Sequence, residues 1–315
     1  MNRTIVLWVA FVLTGPYSSV LPFAILPPFS WWIVSRLIRR VEQVPFDPAW
    51  RVVLGGVGAC IPGLVTLSLL SFSIYYMPRI APGDFGCYVK IYGPLCIVSI
   101  LVARALIISL IRSYRVWSLL AVTTKPSERL LRISREFGIV TSELPVSVPA
   151  CMAVGFTVPR IIVSRGALAQ FSDDDLRAAL LHEGSHLRRG DTRWSTVISF
   201  LSECGLWRVT NALSVHKQAS EELADEYAAK SVGSVALASL LVRFAQKSWN
   251  LPFAEAFAQK KGLDQRVRRL LEPPACARPG LGRLALPFAL LLTTSLVAYS
   301  EIVRALARSL FNCIP

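Results

Sequence analysis

The stretch FSDDDLRAALLHEGSHLRRGD, residues 171–191, decides how the chain is interpreted. Ser172 is placed to cap a helix, and Asp175, three residues later, completes a capping box. Two further aspartates complement the positive end of the helix dipole. Gly190 ends the helix directly after two arginines, which are favourable in a last turn. The pattern therefore predicts one helix whose two ends are both specified by the sequence.

Two histidines on this helix predict a metal site. His182 and His186 are four residues apart, so their imidazoles share one face at the spacing that two ligands of one tetrahedral zinc require. The chain has three histidines in all, which favours a ligand pair over two core histidines satisfied by hydrogen bonds. Glu183, beside the first ligand, can take a proton from a zinc-bound water. We therefore predict Zn²⁺ as cofactor and Glu183 as the catalytic base.

A third ligand is expected from EELADEYA, residues 221–228, because two histidines leave the ion open. Glu221 is the predicted ligand. Asp225, one turn later, can accept a hydrogen bond from the outer nitrogen of a ligand histidine and fix its tautomer. Glu222 and Glu226 are competing ligands, and a solvated acidic helix start is the alternative interpretation.

The composition indicates a membrane protein. With 53% hydrophobic and 17% charged residues, the chain has more apolar surface than a soluble domain of 315 residues buries. We expect a mainly α-helical membrane protein with about four transmembrane helices and a cytoplasmic α+β domain. The expected parts are a membrane region with three spans (residues 1–111; spans at about 5–34, 52–76 and 91–111), the zinc domain (112–283), and a fourth span with a short extracytoplasmic tail (284–315).

The distribution of basic residues predicts the orientation. Lys and Arg collect in the first loop, after the third span and before the fourth, and such flanks are cytoplasmic. We therefore expect a multi-pass protein of a bacterial inner (cytoplasmic) membrane, with the catalytic domain in the cytoplasm and both termini outside. Much of the net charge of +14 lies in these flanks. The lipid bilayer is thus an expected partner, and direct binding of nucleic acid is not expected.

Other residues carry weaker expectations. Arg104 in the third span is expected to snorkel to the headgroups. Residues 194–213 are expected to form a helix packed on the zinc domain, with entry into the membrane as a fifth span as the alternative. Cys87 and Cys313 both fall outside the membrane by this topology, where a disulfide is one option. His216 and Tyr227 can assist an oxyanion, but a structural role is favoured.

HEGSHLRRGD, residues 182–191, and EELAD, residues 221–225, resemble the BlaR/MecR type of membrane metallopeptidases, within the gluzincin group that includes HtpX-like proteases. They match that family's H-E-x-x-H-x-x-x-x-D and E-x-x-x-D elements. The likeness implies that Asp191, like Asp225, supports a metal ligand. It also implies that the strand Arg160–Ser164 is a sheet edge along which a substrate backbone is laid, with a plain core strand as the alternative.

The resemblance implies a membrane-embedded, antirepressor-like zinc endopeptidase that cleaves a cytoplasmic or membrane protein in signal transduction. Its substrate would be a transcriptional repressor or the enzyme's own basic segment, residues 266–269. The alternatives are a housekeeping quality-control protease and a non-catalytic receptor or scaffold that retains the zinc fold. The family's sensors carry an extracellular β-lactam-binding domain after the fourth span, whereas this sequence stops at Pro315. A sensor partner or a membrane condition is therefore expected to supply the stimulus.

Overall fold

The computed structural model describes residues 30–39, 47–76, 85–205, 210–247 and 262–272. This part of the chain is mainly helical with one small sheet, as predicted. The predicted fourth span, Cys313 and most of the predicted first span lie outside the described residues. The helices are α1 (30–39), α2 (Pro48–Tyr76), α3 (Phe85–Ala121), α4 (Glu128–Glu136), α5 (Arg165–Gln170), α6 (Asp173–Arg189), α7 (Asp191–Cys204), α8 (Thr210–Val232), α9 (Ser234–Lys247) and α10 (Leu263–Leu271), and the strands are β1 (Thr141–Leu144), β2 (Cys151–Val154) and β3 (Arg160–Ser164).

Helices α2 and α3 each contain a stretch that is long and apolar enough to cross a membrane, Pro48–Leu67 and Cys96–Ala121. They correspond to the predicted second and third spans. Helix α3 exposes large apolar and aromatic side chains between Ile97 and Trp117, including Ile107 and Leu110. It also continues without a break past the predicted end of its span at residue 111. These features fit a membrane protein whose third span extends directly into the following domain.

Helix α6 has the ends that its sequence predicts. The Ser172 hydroxyl accepts a hydrogen bond from the Asp175 amide, and the Asp175 carboxylate accepts one from the Ser172 amide, which completes the capping box. At the other end Gly190 has φ 69°, the left-handed conformation that glycine adopts most readily. This residue ends α6 and lets α7 begin at once, so the two helices meet at a fixed corner.

The sheet has the order β1-β3-β2, with β3 parallel to β1 and antiparallel to β2. The expectation that Arg160–Ser164 forms the edge is therefore wrong. This strand is central, its backbone groups pair on both sides, and Ile161, Ile162 and Val163 are buried. A run of β-branched residues fits such a buried position. The outer strand next to α6 is β2, which pairs with β3 alone among the described strands.

Helix α2 packs against α7 and α8 at very close range. A Cβ atom on Gly55 would lie 2.6 Å from the His216 amide nitrogen, and one on Gly63 would lie 1.8 Å from the Leu201 carbonyl oxygen. Helix α7 contacts α2 and α3 far more than it contacts α6. The expectation that residues 194–213 pack on the zinc domain is thus corrected for α7, which packs mainly on the two apolar helices.

Arg104, which was expected to snorkel, has a partner on α7 that the sequence did not predict. It donates a hydrogen bond to the Glu203 carbonyl oxygen at 2.8 Å and lies 3.7 Å from the Glu203 carboxylate. The Glu203 side chain is 3% exposed and also pairs with Arg112 at 3.2 Å. A buried carboxylate needs a counterion, and the ion pair with Glu203 keeps the Arg104 side chain against α7.

Replacing Gly63 by Ala is expected to lower the free energy of unfolding by about 3 kcal/mol or more, because the new Cβ meets backbone that cannot move aside. Gly58→Ala is the matched control, since its nearest neighbours are the Ile38 and Val34 side-chain tips at 3.2 Å. That variant is expected to change stability by less than about 1 kcal/mol. Thermal unfolding of both proteins in detergent makes the comparison, and equal shifts would contradict the close α2–α7 contact.

Candidate active site

The structure brings together the three predicted metal ligands. The His182 Nε2 atom lies 3.3 Å from Glu221 Oε2, and the His186 Nε2 atom lies 3.4 Å from Glu221 Oε1. One donor atom from each of the three residues falls within 4.8 Å of the others. The two imidazoles come from α6 and the carboxylate comes from α8, so the tertiary fold builds the cluster. The role of these residues as ligands remains a prediction that this geometry fits.

The opposite edge of each imidazole faces a carboxylate. His182 Nδ1 lies 3.0 Å from Asp225 Oδ1, and His186 Nδ1 lies 2.7 Å from Asp191 Oδ2. A carboxylate at this position accepts the Nδ1 proton, which leaves Nε2 with its lone pair directed at the cluster. Asp225 and Asp191 therefore lie where the sequence and the resemblance predicted supporting acids.

Glu183 is buried at 2% exposure beside the two histidines. Its Oε2 atom accepts a hydrogen bond from the Ala153 amide of β2 at 2.7 Å, whereas Oε1 is buried and has no hydrogen-bond partner among the described residues. Burial raises the pKa of this carboxyl, and the two imidazoles oppose that effect. One oxygen is thus fixed by the sheet, and the other is available to accept a proton.

The competing acids point elsewhere. Glu222 is buried, but it pairs with Arg51 of α2 and with Arg269 of α10. Glu226 is a half-exposed surface residue whose carboxylate lies 3.7 Å from Arg269. Neither belongs to the group of possible metal donors found among the described residues.

The two residues considered for an oxyanion role have other contacts. The His216 Nδ1 atom lies 2.8 Å from the Val52 carbonyl oxygen, so this imidazole joins α8 to the start of α2. The Arg188 guanidinium carbon lies over the Tyr227 ring, 4.5 Å from the ring centroid. These contacts fit the structural roles that the sequence favoured.

Arg266 belongs to the site, although its individual role was not predicted. Its guanidinium binds both oxygens of Asp225 at 2.7 Å, and Nη1 lies 3.1 Å from Glu221 Oε2. The residue is only 3% exposed. One signal was present in the sequence: Arg266 lies on the apolar stripe formed by Leu263, Val267 and Leu270 of α10. A lone arginine on such a stripe indicates a buried partner.

The electrostatics of the cluster keep its acids ionised. Burial alone would raise the pKa of Glu221, but the two neighbouring imidazoles and the charge of Arg266 hold it well below its usual range. Likewise, the pKa of Asp191 is lowered to about 2 against the effect of burial, by hydrogen bonds from His186, Arg189 and Ser220. Both acids are therefore ionised at neutral pH.

The donor set fits a zinc ion. Two imidazole nitrogens and one carboxylate match the ligands that this ion takes, and three protein ligands leave a coordination position open, which is the pattern of a catalytic site. Glu183 directly follows His182, the first of these ligands, and its buried Oε1 atom has no hydrogen-bond partner among the described residues. The fold and the site thus fit a membrane-associated peptidase.

Comparison with known proteins supports the predicted family relationship. Residues 87–208 match the model of the family described as BlaR1 peptidase M56, and this match confirms the predicted BlaR/MecR-type relationship. The matched region includes α6 with its two histidines, whereas Glu221 and Asp225 lie beyond its end. No curated protein matches the chain.

Proposed function

We propose that the protein is a zinc-dependent endopeptidase of the membrane that cleaves a cytoplasmic or membrane protein in signal transduction. The observation that carries the proposal is the convergence of His182, His186 and Glu221 from two helices, with Glu183 held against the sheet beside them. A non-catalytic receptor or scaffold needs no buried carboxylate with an unused oxygen, so Glu183 favours the enzyme.

The chain's own residues perform the steps of hydrolysis around the metal. His182, His186 and Glu221 would hold a zinc ion, which when bound would supply Lewis acidity toward water and the peptide carbonyl. Glu183 accepts the proton of the attacking water and delivers it to the leaving amine. Asp225 keeps the His182 imidazole in place throughout.

The outer edge of β2 is the proposed place for the substrate backbone. The carbonyl oxygen of Ala150, just before β2, accepts a hydrogen bond from the Ser164 amide, so the backbone groups of Ala150 face β3. In an antiparallel pair the backbone groups of every second residue face the partner strand, and those of the residues between them face away. The Ala153 amide accordingly faces away from β3 and donates its hydrogen bond to Glu183. A peptide added along this edge would therefore bring its bonds past the catalytic acid. This assignment replaces the one made for Arg160–Ser164.

The proposed substrate is a separate protein, such as a transcriptional repressor, rather than the chain's own segment 266–269. These residues form part of α10, and Arg266 is buried in ion pairs with Glu221 and Asp225. Cleavage at this place would require α10 to unwind and would release a proposed zinc ligand from its partner. Housekeeping proteolysis of membrane proteins is the remaining alternative.

Quantitative proteomics of cells that express the wild type or Glu183→Gln tests this function. We expect one or a few proteins to disappear only with the wild type. A transcriptional repressor encoded by a neighbouring gene among them would support signalling. Loss of many damaged membrane proteins would support quality control instead. Identical proteomes at equal expression would count against proteolysis.

Glu221→Ala is expected to lower zinc affinity by more than about 100-fold, beyond the effect typical of losing a supporting hydrogen bond. Glu226→Ala, on the same helix but half exposed, is the matched control and should keep its zinc. Metal analysis of both full-length proteins in detergent, with thermal unfolding as a check on folding, measures the difference. Retention of zinc by Glu221→Ala would remove this residue from the proposed ligand set.

A further inference from the structure

The end of α7 lies far along α2 from the basic flank of that helix. Gly63 follows Arg51 by twelve residues, which is about 18 Å of helix. The Leu201 carbonyl of α7 lies against Gly63, and Gly205, just after α7, lies against Pro62. The hydrocarbon layer is about 30 Å thick. If α2 crosses the membrane from Arg51, the end of α7 reaches about the middle of the bilayer.

One carbonyl group at the end of α7 has a partner of the kind that a helix end inside a bilayer needs. The last carbonyl groups of a helix have no partners within the helix, and lipid offers none. Arg104 of α3, within the apolar stretch Cys96–Ala121, donates a hydrogen bond to the Glu203 carbonyl oxygen at 2.8 Å. The Glu203 carboxylate is in turn neutralised by Arg104 and Arg112. Buried charges in spans are tolerated when they are paired in this way.

The start of α7 carries an exposed apolar surface. Trp194 and Val197 are 62% and 38% exposed, and Phe156 and Val158 are exposed on the turn between β2 and β3. Arg193 joins the two elements by donating a hydrogen bond to the Phe156 carbonyl oxygen at 2.9 Å. Tryptophan and arginine side chains beside aliphatic ones are typical of the headgroup level of a membrane.

We propose that α7 enters the bilayer from the cytoplasmic side and that its exposed face binds lipid hydrocarbon. Trp194 lies at the headgroup level, Val197 lies below it, and the helix ends beside Pro62 and Gly63. The inference rests on the membrane location in the proposed function, but not on catalysis. Because α6 continues into α7 through Gly190, the inserted helix would hold the two histidines at the membrane surface. The site would then reach peptide bonds that lie close to that surface.

Cysteine labelling in native membranes tests the proposal. Val197→Cys is compared with Val242→Cys, because both parent residues are 38% exposed and both lie in helices, and Val140→Cys reports access to the loop after α4. A maleimide reacts with a thiolate in water, so a thiol in hydrocarbon is protected. Full-length protein in inverted membrane vesicles is treated with maleimide, and peptide mass spectrometry measures each cysteine separately from the native ones.

We expect Val197→Cys to react at least about tenfold more slowly than both controls in vesicles, and as fast as they do after denaturation. Ser199→Cys provides a second, nearly isosteric position on the same helix if the first variant folds poorly. Reaction of the α7 cysteines at the rate of Val242→Cys would overturn the proposal. Since labelling needs no hydrolysis, a failure here leaves the peptidase assignment untouched, and a failure of zinc binding leaves this result untouched.

Discussion

Replacing Glu183 by Gln is expected to lower kcat for peptide-bond hydrolysis by about 10²- to 10⁴-fold, the usual contribution of a general acid–base group. Gln has the same shape and can still accept the hydrogen bond from the Ala153 amide through its carbonyl oxygen. It cannot take a proton from water. The loss should therefore appear in kcat, while zinc content and thermal stability stay close to those of the wild type.

Glu226→Gln is the matched control for this experiment, because it makes the same chemical change on a half-exposed residue. It should retain wild-type kcat and zinc content. Purified full-length proteins are assayed on the substrate found by proteomics, with metal analysis of the same samples. Equal cleavage by the wild type and Glu183→Gln would rule out Glu183 as the base, whereas loss of zinc from Glu183→Gln would give it a role in metal binding instead.

The helix that carries the histidines was predictable because its determinants are local. The capping box of Ser172 and Asp175, the glycine end at Gly190 and the four-residue spacing of the histidines all depend on residues within one or two turns. The third predicted ligand could not be inferred from local determinants of α6, since it lies on α8, which is distant in the sequence. The need for a third ligand and the one-turn spacing within the acidic segment predicted Glu221 and Asp225, and the likeness to a two-part motif agreed with that prediction. The structure places both beside the imidazoles.

The order of the strands was not predictable from their composition. A buried run such as RIIVS suits any strand with a covered face, and alternation says nothing about how many neighbours a strand has. The parallel pairing of β1 with β3 is a long-range contact that places β3 in the centre and β2 at the edge next to α6. Because β2 is the edge strand, it is the strand proposed to bind the substrate backbone.

The charge pairs between distant helices were also beyond the sequence. Arg104 was interpreted by its own position in an apolar stretch, and Glu203 by its own polarity, because nothing local joins α3 to α7. The same holds for Glu222, which the sequence could not separate from Glu221 and which the structure pairs with Arg51 and Arg269. These contacts connect the apolar helices to the site, whereas the sequence suggested a separate membrane region and catalytic domain.

Replacing Arg266 by Ala is expected to lower the free energy of unfolding by about 3–5 kcal/mol, because it leaves the buried Asp225 carboxylate without its cation. Asp225 would then be held less firmly against the His182 imidazole, and Glu221 would lose the guanidinium beside its Oε2 atom. Zinc affinity is therefore expected to fall by about 10- to 100-fold, as is typical when a group that orients a ligand is removed.

Arg268→Ala on the exposed side of the same helix is the control, and it should change neither quantity appreciably. Arg266→Lys separates charge from geometry, because lysine supplies a cation without the planar fork that binds both oxygens of Asp225. We expect it to recover part of the stability and little of the zinc affinity. Thermal unfolding and competition for zinc with a chelator measure the two quantities. If Arg266→Ala keeps wild-type zinc affinity while losing stability, Arg266 acts only in packing α10, and the metal ligands are oriented by α6 and α8 alone.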